Sequence, residues 1–236
     1  MQEAQTTSSH TPQVVVLDVY ETMLDMSEVE RKVNSVMESR KGYMLWFELF
    51  MQYCFVDNCT SQFNSFNSIA KATMQMIAYK LDVHITPFDI EQIFEMLKHL
   101  PVREGVQEGL SALNDAGYRI AALTNSPEEI VRERMERTGL ISYFDCVLSA
   151  EHVKKYKPSL KVYQWAAKKM EIKEKDMLFV SAHGWDIAGA ANAGMATAFI
   201  NLNKELLYPL APTPNFICNS LSDLANQLKQ AQDRSQ

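Results

Sequence analysis

The sequence predicts an α/β protein whose parallel sheet is interrupted by a large helical insertion. Val14–Leu17 is a run of four apolar residues, three of them β-branched, as expected of a strand buried on both faces. Residues 27–100 have long helical patterns and no clear strand, whereas short apolar runs alternate with helices after Pro101. Such alternation is typical of a parallel sheet with right-handed crossovers.

The individual elements follow from hydrophobic periodicity and from the residues that end it. In the insertion, Thr86 is a candidate N-cap and Pro87 suits the first helical position of its helix. After it, Gly117 and Gly139 are natural helix stops. The predicted strands are 14–18, 118–123, 146–149, 177–181 and 196–200, and residues 202–220 are expected to be irregular. The predicted helices are 29–37, 44–56, 65–81, 87–97, 104–116, 128–138, 160–170, 186–193 and 221–230.

Composition limits the classes of function. The chain has 236 residues, of which 47% are hydrophobic and 22% charged, with a net charge of −6. A mildly acidic chain without a basic cluster is not expected to bind nucleic acid or anionic membranes. No apolar run approaches the roughly 20 residues that cross a bilayer, and residues 1–13 are polar and lack a signal-peptide core. A cytoplasmic location is therefore expected.

Polar side chains recur where the predicted strands end. Taken singly, each is explained as a turn residue, a helix cap or a solvated charge. Ligands of open α/β sheets bind beyond the carboxyl ends of the strands, so the group together predicts a site. It would contain a carboxylate nucleophile, a cation that keeps it ionised, and donors for a charged substrate. The residues concerned are Asp18, Thr22, Thr124, Asn125, Lys157, Ser181, His183 and Asp186.

The order of these motifs resembles that of the haloacid dehalogenase-like superfamily. The motifs are Asp-x-Tyr-x-Thr from Asp18, Thr124-Asn125, Lys157-Pro158, and Ser181 followed by Asp186. The resemblance implies a Rossmann-like core in which an aspartate nucleophile follows the first strand, with a mobile cap inserted after it. On this basis residues 1–24 and 101–236 are assigned to the core and residues 25–100 to a helical cap.

Two positions argue against metal-dependent phosphoryl transfer. Phosphatases of this superfamily usually carry a second aspartate where this chain has Tyr20, and a first metal-binding aspartate where it has Ala182. A Mg²⁺ ion would keep only Asp18 and Asp186 as carboxylate ligands, so no metal cofactor is expected. A Mg²⁺-dependent phosphatase remains an alternative, as does a HAD-fold protein that binds a small acid or a protein partner without catalysis.

The sequence is most similar to the L-2-haloacid dehalogenase branch, which needs no metal. There, an aspartate displaces halide from a small 2-halo acid and water hydrolyses the resulting ester. By resemblance Asp18 is the nucleophile, Lys157 its counter-ion, and Asp186 helps to activate water. The resemblance also implies that Thr22, Ser181 and Tyr163 orient the two carboxylates and Lys157. Asn125 and Trp185 would contact the leaving halide, and Thr124 would contact the substrate carboxylate. Tyr20 is a further candidate substrate-binding residue, and a homodimer has precedent in the family.

Three positions depart from that branch. The cap arginine that follows a Leu-Trp pair is Phe47 here, which we expect to line an apolar pocket and which cannot donate to an anion. The asparagine usual after Ser181 is His183, either a water-activating group or a hydrogen-bonded loop histidine. Glu21 replaces a glycine and is expected to face solvent.

Overall fold

The computed structural model describes residues 12–202 and 206–233, and over these ranges it contains one parallel sheet of six strands. The strand order is β3-β2-β1-β4-β5-β6, so β1 lies in the middle and successive strands are added first on one side of it and then on the other. The α/β fold predicted from the sequence is confirmed. The strands are β1 (Val14–Leu17), β2 (Arg119–Thr124), β3 (Cys146–Ser149), β4 (Met177–Ser181), β5 (Ala196–Ile200) and β6 (Phe216–Cys218).

Helices cover both faces of the sheet, which is why the central strands are apolar on both sides. Val15 and Leu17 pack in the cluster that includes α5 and α9, whereas Val14 and Val16 pack against α7 and α8. All four residues of β1 are fully buried. In the core the helices are α5 (Val106–Asp115), α6 (Glu128–Arg137), α7 (Leu160–Lys169), α8 (Gly184–Asn192) and α9 (Leu221–Asp233).

Four helices, which we call the cap helices, lie in the chain between β1 and α5. They are α1 (Ser27–Val36), α2 (Gly42–Thr60), α3 (Phe66–Lys80) and α4 (Pro87–Leu97). α4 begins as predicted, because the Thr86 hydroxyl accepts from the backbone N–H of Asp89 while the Asp89 side chain accepts from that of Thr86. The domain limits at 24/25 and 100/101 stay a prediction.

One element was missed. The segment 202–220 was expected to be irregular, yet Phe216–Cys218 pairs with β5 as the last strand of the sheet. β6 is short and lies at the sheet edge, where Ile217 is 54% exposed, so it lacks the continuous apolar run that marks a buried strand. The expectation of an irregular segment was wrong at these three residues.

Two sequence-based expectations concern the chain as a whole. Of the segment 1–13, predicted to be polar and without a signal-peptide core, residues 1–11 lie outside the described residues. Across 12–202 and 206–233, no helix has both the length and the apolar character needed to span a bilayer.

Candidate active site

The candidate site lies at the carboxyl ends of the central strands, where the order of the sheet reverses. Asp18 directly follows β1, and its backbone N–H donates to the carbonyl of Val180 in β4 (2.9 Å). Because Leu17 is in register with Ala122 of β2 and Val180 of β4, the ends of three strands meet beside Asp18. This is the crevice in which open α/β sheets bind their ligands.

Lys157 joins two buried carboxylates. Its Nζ donates to Asp18 Oδ1 (2.8 Å), to Asp186 Oδ2 (2.7 Å) and to the Leu123 carbonyl (2.8 Å). All three donor positions of the ammonium are thus used. Lys157 is 1% exposed and Asp186 0%, so water screens this cluster little.

These contacts shift the protonation equilibria of all three groups. Burial would raise the pKa of Asp18, but Lys157 and His183 outweigh it and hold that pKa below its usual range. Burial likewise opposes the charge on Lys157, yet Asp18 and Asp186 raise its pKa. The pKa of Asp186 is raised, chiefly by burial and with Asp18 contributing. The cluster therefore favours an ionised Asp18 beside a charged lysine.

His183 forms a second contact with Asp18 and extends the network to the cap. One ring nitrogen, Nδ1, lies 3.1 Å from Asp18 Oδ2, and the other, Nε2, lies 2.8 Å from Glu21 Oε2. Glu21 Oε1 in turn accepts from the Tyr43 hydroxyl on α2 (2.6 Å). Burial opposes protonation of His183, but its two carboxylate partners raise its pKa to about 10. His183 is thus a cation near neutral pH.

The expectation that Glu21 faces solvent was wrong. Its carboxylate points toward His183 and Tyr43, and its backbone carbonyl accepts from Arg103 Nε (2.7 Å). Glu21 has φ +60°, a left-handed conformation that non-glycine residues adopt at a cost, which fits the glycine expected here by resemblance. The hydrogen bonds of its side chain and carbonyl hold it there.

The residues expected to orient the carboxylates occupy three different positions. The Thr22 hydroxyl donates to Asp18 Oδ2 (3.0 Å), and its oxygen accepts from the Ala182 N–H (3.0 Å). The Tyr163 hydroxyl donates to Asp186 Oδ1. Ser181 is placed differently: its Oγ accepts from the His183 N–H (3.0 Å), so it shapes the turn before α8.

Asn125 and Thr124 lie at the end of β2. Asn125 Oδ1 accepts from the backbone N–H of Lys157 (2.7 Å), and its amide nitrogen donates to the carbonyl of the same residue (3.4 Å). This pair of bonds fixes the loop that carries the lysine. The Thr124 hydroxyl oxygen accepts from the Ser126 N–H (3.1 Å).

A cavity of about 180 Å³ lies between these strand ends and the cap helices. Phe47 stacks on the ring of His183 (5.5 Å between centroids), which in turn stacks on Trp185 (5.2 Å). As expected, Phe47 lines an apolar wall, which it shares with Trp46, Phe50 and Phe66. Asp18, Tyr20, Thr124, Asn125, Lys157, His183 and Trp185 line the same cavity.

Tyr43 and Arg134 are among the cavity side chains that sequence reasoning missed. Tyr43 lies one residue before the predicted helix 44–56, and its contact with Glu21, distant in the chain, had no local signal. Arg134 did have a local signal, because it is a charged residue on the apolar face of α6. It lies four residues after Ile130 and next to Met135.

The donor set does not fit a divalent metal. Both oxygens of Asp18 and both of Asp186 already accept from Lys157, Thr22, Tyr163 or His183. Within the described residues, no cluster of three or more His, Cys, Asp or Glu side chains has the arrangement of a metal site. Mg²⁺ would have to displace a buried ammonium from the carboxylates it would use.

The fold and this arrangement define an α/β protein with a buried aspartate–lysine–aspartate cluster at the carboxyl edge of its sheet. The sequence profile of the haloacid dehalogenase-like hydrolases matches residues 45–200, more than half of the chain. The chain therefore belongs to the haloacid dehalogenase-like hydrolases. The matched range begins after Asp18, so the interpretation of that residue depends on the geometry above.

Individual relatives agree with this family. The (S)-2-haloacid dehalogenase 4A of Burkholderia cepacia is 28% identical over 212 residues, covering 89% of this chain and 91% of its own. A crystal structure of a dehalogenase with an intermediate complex is similar with a TM-score of 0.85 at 27% identity, covering 92% of this chain and 97% of its own. The L-2-haloacid dehalogenase of Xanthobacter autotrophicus with chloropropionic acid covalently bound shares the fold, with a TM-score of 0.79 at 20% identity over 92% and 98% of the two chains.

Proposed function

We propose that this protein hydrolyses the carbon–halogen bond of a small 2-halo carboxylic acid, without a metal, through an ester on Asp18. The observation that carries the proposal is the buried Asp18 carboxylate, held ionised by Lys157 at the floor of a small, largely apolar cavity. A desolvated carboxylate of this kind is a suitable nucleophile for displacement at carbon. The named activity of the Burkholderia relative agrees with it.

The two oxygens of Asp18 have different surroundings, which suggests different roles. Oδ1 accepts one hydrogen bond, from Lys157, whereas Oδ2 accepts from Thr22 and lies beside His183. Oδ1 therefore keeps more freedom to attack the carbon that bears the halogen. A new C–O bond forms as the C–halogen bond breaks, and the halide leaves with the bonding electrons.

Water then attacks Cγ of the esterified Asp18. The bond between Cγ and the ester oxygen breaks, giving the 2-hydroxy acid, the regenerated carboxylate and one proton. Negative charge develops on Oδ2 in this step, where Thr22 and protonated His183 act as an oxyanion hole. Asp186, whose pKa is raised, accepts the proton from water, and Tyr163 and Lys157 hold it in place.

The other cavity residues bind the substrate in this proposal. Asn125 and Trp185 contact the departing halide, and Thr124 and Tyr20 contact the substrate carboxylate; all four residues line the cavity. Phe47 replaces the cap arginine with an apolar surface, which favours a small aliphatic chain. The Mg²⁺-dependent phosphatase is the weaker candidate, since its ligands are already engaged by Lys157 and hydroxyl donors.

The test is halide release from L-2-chloropropionate, with the D enantiomer and p-nitrophenyl phosphate plus Mg²⁺ as parallel substrates. We expect chloride release in the presence of a chelator, and its loss in Asp18→Asn. A matched control is Asp25→Asn, which changes a carboxylate outside this cavity. Metal-stimulated phosphate release with no chloride from any 2-halo acid would overturn the proposal in favour of the phosphatase.

A further inference from the structure

Arg134 is a buried cation at the cavity with no carboxylate partner among the residues that the structure describes. It lies on α6, is 9% exposed, and lines the same cavity as Asp18. Arg137, three residues on, differs, because it donates to the Lys98 carbonyl and pairs with Glu133 (3.9 Å), which also lines the cavity. A buried guanidinium left without a partner is costly, so such a group points to a ligand.

A second polar group beside Arg134 is also unsatisfied. Over residues 12–202 and 206–233, the buried side-chain atoms with no hydrogen-bond partner are the Tyr20 hydroxyl and Arg134 Nε. The two groups are adjacent, since the Arg134 guanidinium lies 5.2 Å from the centre of the Tyr20 ring. Both line the cavity that contains Asp18. Two neighbouring side chains that line one small cavity and each carry a donor without an acceptor indicate a binding site for a single anionic group.

The other cations at the cavity already form hydrogen bonds or ion pairs with groups of the protein. Lys157 uses its three donors on Asp18, Asp186 and a carbonyl. His183 lies between Asp18 and Glu21, and Lys98 is paired with Glu95 (2.6 Å). Arg134 is thus the cation that can receive an external anion without breaking an ion pair.

We propose that Arg134 and the Tyr20 hydroxyl bind the carboxylate of the substrate and so set the specificity for small organic acids. The planar fork of a guanidinium matches a carboxylate in a two-bond arrangement, and a tyrosine hydroxyl adds a third donor. This assignment rests on the proposed function for the identity of the reacting acid. It also gives the molecule a cation from the core helix α6 in place of the cap arginine that Phe47 replaces.

The test compares binding of unreactive propionate with binding of uncharged propionamide, by calorimetry on the full chain. Arg134→Met is expected to weaken propionate binding by about 10- to 100-fold and to leave propionamide within about threefold. Tyr20→Phe removes one donor and is expected to weaken propionate binding by about 3- to 10-fold. The matched control is Arg132→Met on the same helix, since Arg132 pairs with Glu128 outside the cavity and should bind propionate like the wild type.

The outcomes separate this inference from the proposed function. If propionate binds in an Arg134-dependent manner while no halo acid is turned over, the carboxylate site stands and the proposed reaction fails. If chloride is released but Arg134→Met leaves both propionate affinity and KM unchanged, the carboxylate site is overturned. If Arg134→Met unfolds, Arg134→Lys is used instead, since it keeps the charge but lacks the planar pair of guanidinium donors. Propionate affinity equal to that of the wild type in Arg134→Lys would contradict two-bond recognition of the carboxylate.

Discussion

At the scale of single residues, His183 links the charge of the site to pH. Its two ring nitrogens face Asp18 and Glu21, so folding places a cation between two carboxylates. Because its folded pKa of about 10 exceeds the ordinary value of 6.5, protonation of His183 stabilises the folded state. That contribution is complete below about pH 6.5 and is lost as pH rises toward 10.

His183→Asn tests this coupling. The free energy of unfolding of the wild type should exceed that of the variant most at pH 6 and less as pH rises to 9.5. The difference should shrink by at most about 1.4 kcal/mol per pH unit, the limit for one proton. Urea unfolding at several pH values measures it, with His84→Asn as a control because His84 is exposed. A difference that does not change with pH would show that His183 is neutral in the fold.

At the scale of elements, the close packing of α7 against α8 supports the position of Asp186. Gly189 on α8 faces this contact: a Cβ at that position would lie 2.5 Å from Pro158 Cβ and 2.6 Å from the Tyr163 hydroxyl. The same hydroxyl bonds Asp186. Helix packing and carboxylate positioning therefore depend on one small residue.

Gly189→Ala is expected to move Tyr163 away from Asp186. Overpacking of this kind costs about 1–3 kcal/mol of stability, and we expect kcat to fall about tenfold or more while KM changes little. Urea unfolding and steady-state chloride release measure the two effects. Ala188→Ser, on a half-buried position of the same helix, is the control. Unchanged stability and kcat in Gly189→Ala would mean that this interface is looser than the structure indicates.

The sequence determined the elements better than the contacts between them. The strands 146–149, 177–181 and 196–200 and the start of α4 were predicted correctly, because buried apolar runs and a capping box are local signals. β6 and the inward turn of Glu21 were not, since an edge strand and a contact with His183 depend on residues distant in the chain. The strand-end rule did bring Asp18, Lys157 and Asp186 together, a juxtaposition that follows from parallel topology alone.

At the scale of the whole molecule, the cap helices and the core meet beside the Asp18 carboxylate. Phe47 stacks on His183, and Phe55 contacts Trp185 edge to face (5.8 Å between ring centroids). Asn58 on α2 bonds the backbone of Tyr156 beside Lys157. These contacts place apolar side chains of the cap helices opposite the charged side chains of Asp18, Lys157 and His183. Such an arrangement keeps bulk water away from Asp18, as the proposed reaction requires. The homodimer implied by family resemblance stays a prediction.

The central claim is that Asp18 forms the covalent bond with the substrate. A single turnover in H₂¹⁸O, with enzyme in excess over L-2-chloropropionate, tests it most directly by mass spectrometry of the peptide that contains Asp18. We expect one ¹⁸O atom in Asp18 and an unlabelled 2-hydroxy acid, because water attacks the aspartyl Cγ. Labelled 2-hydroxy acid with an unlabelled Asp18 would mean that water attacks the substrate carbon directly and that Asp18 forms no ester.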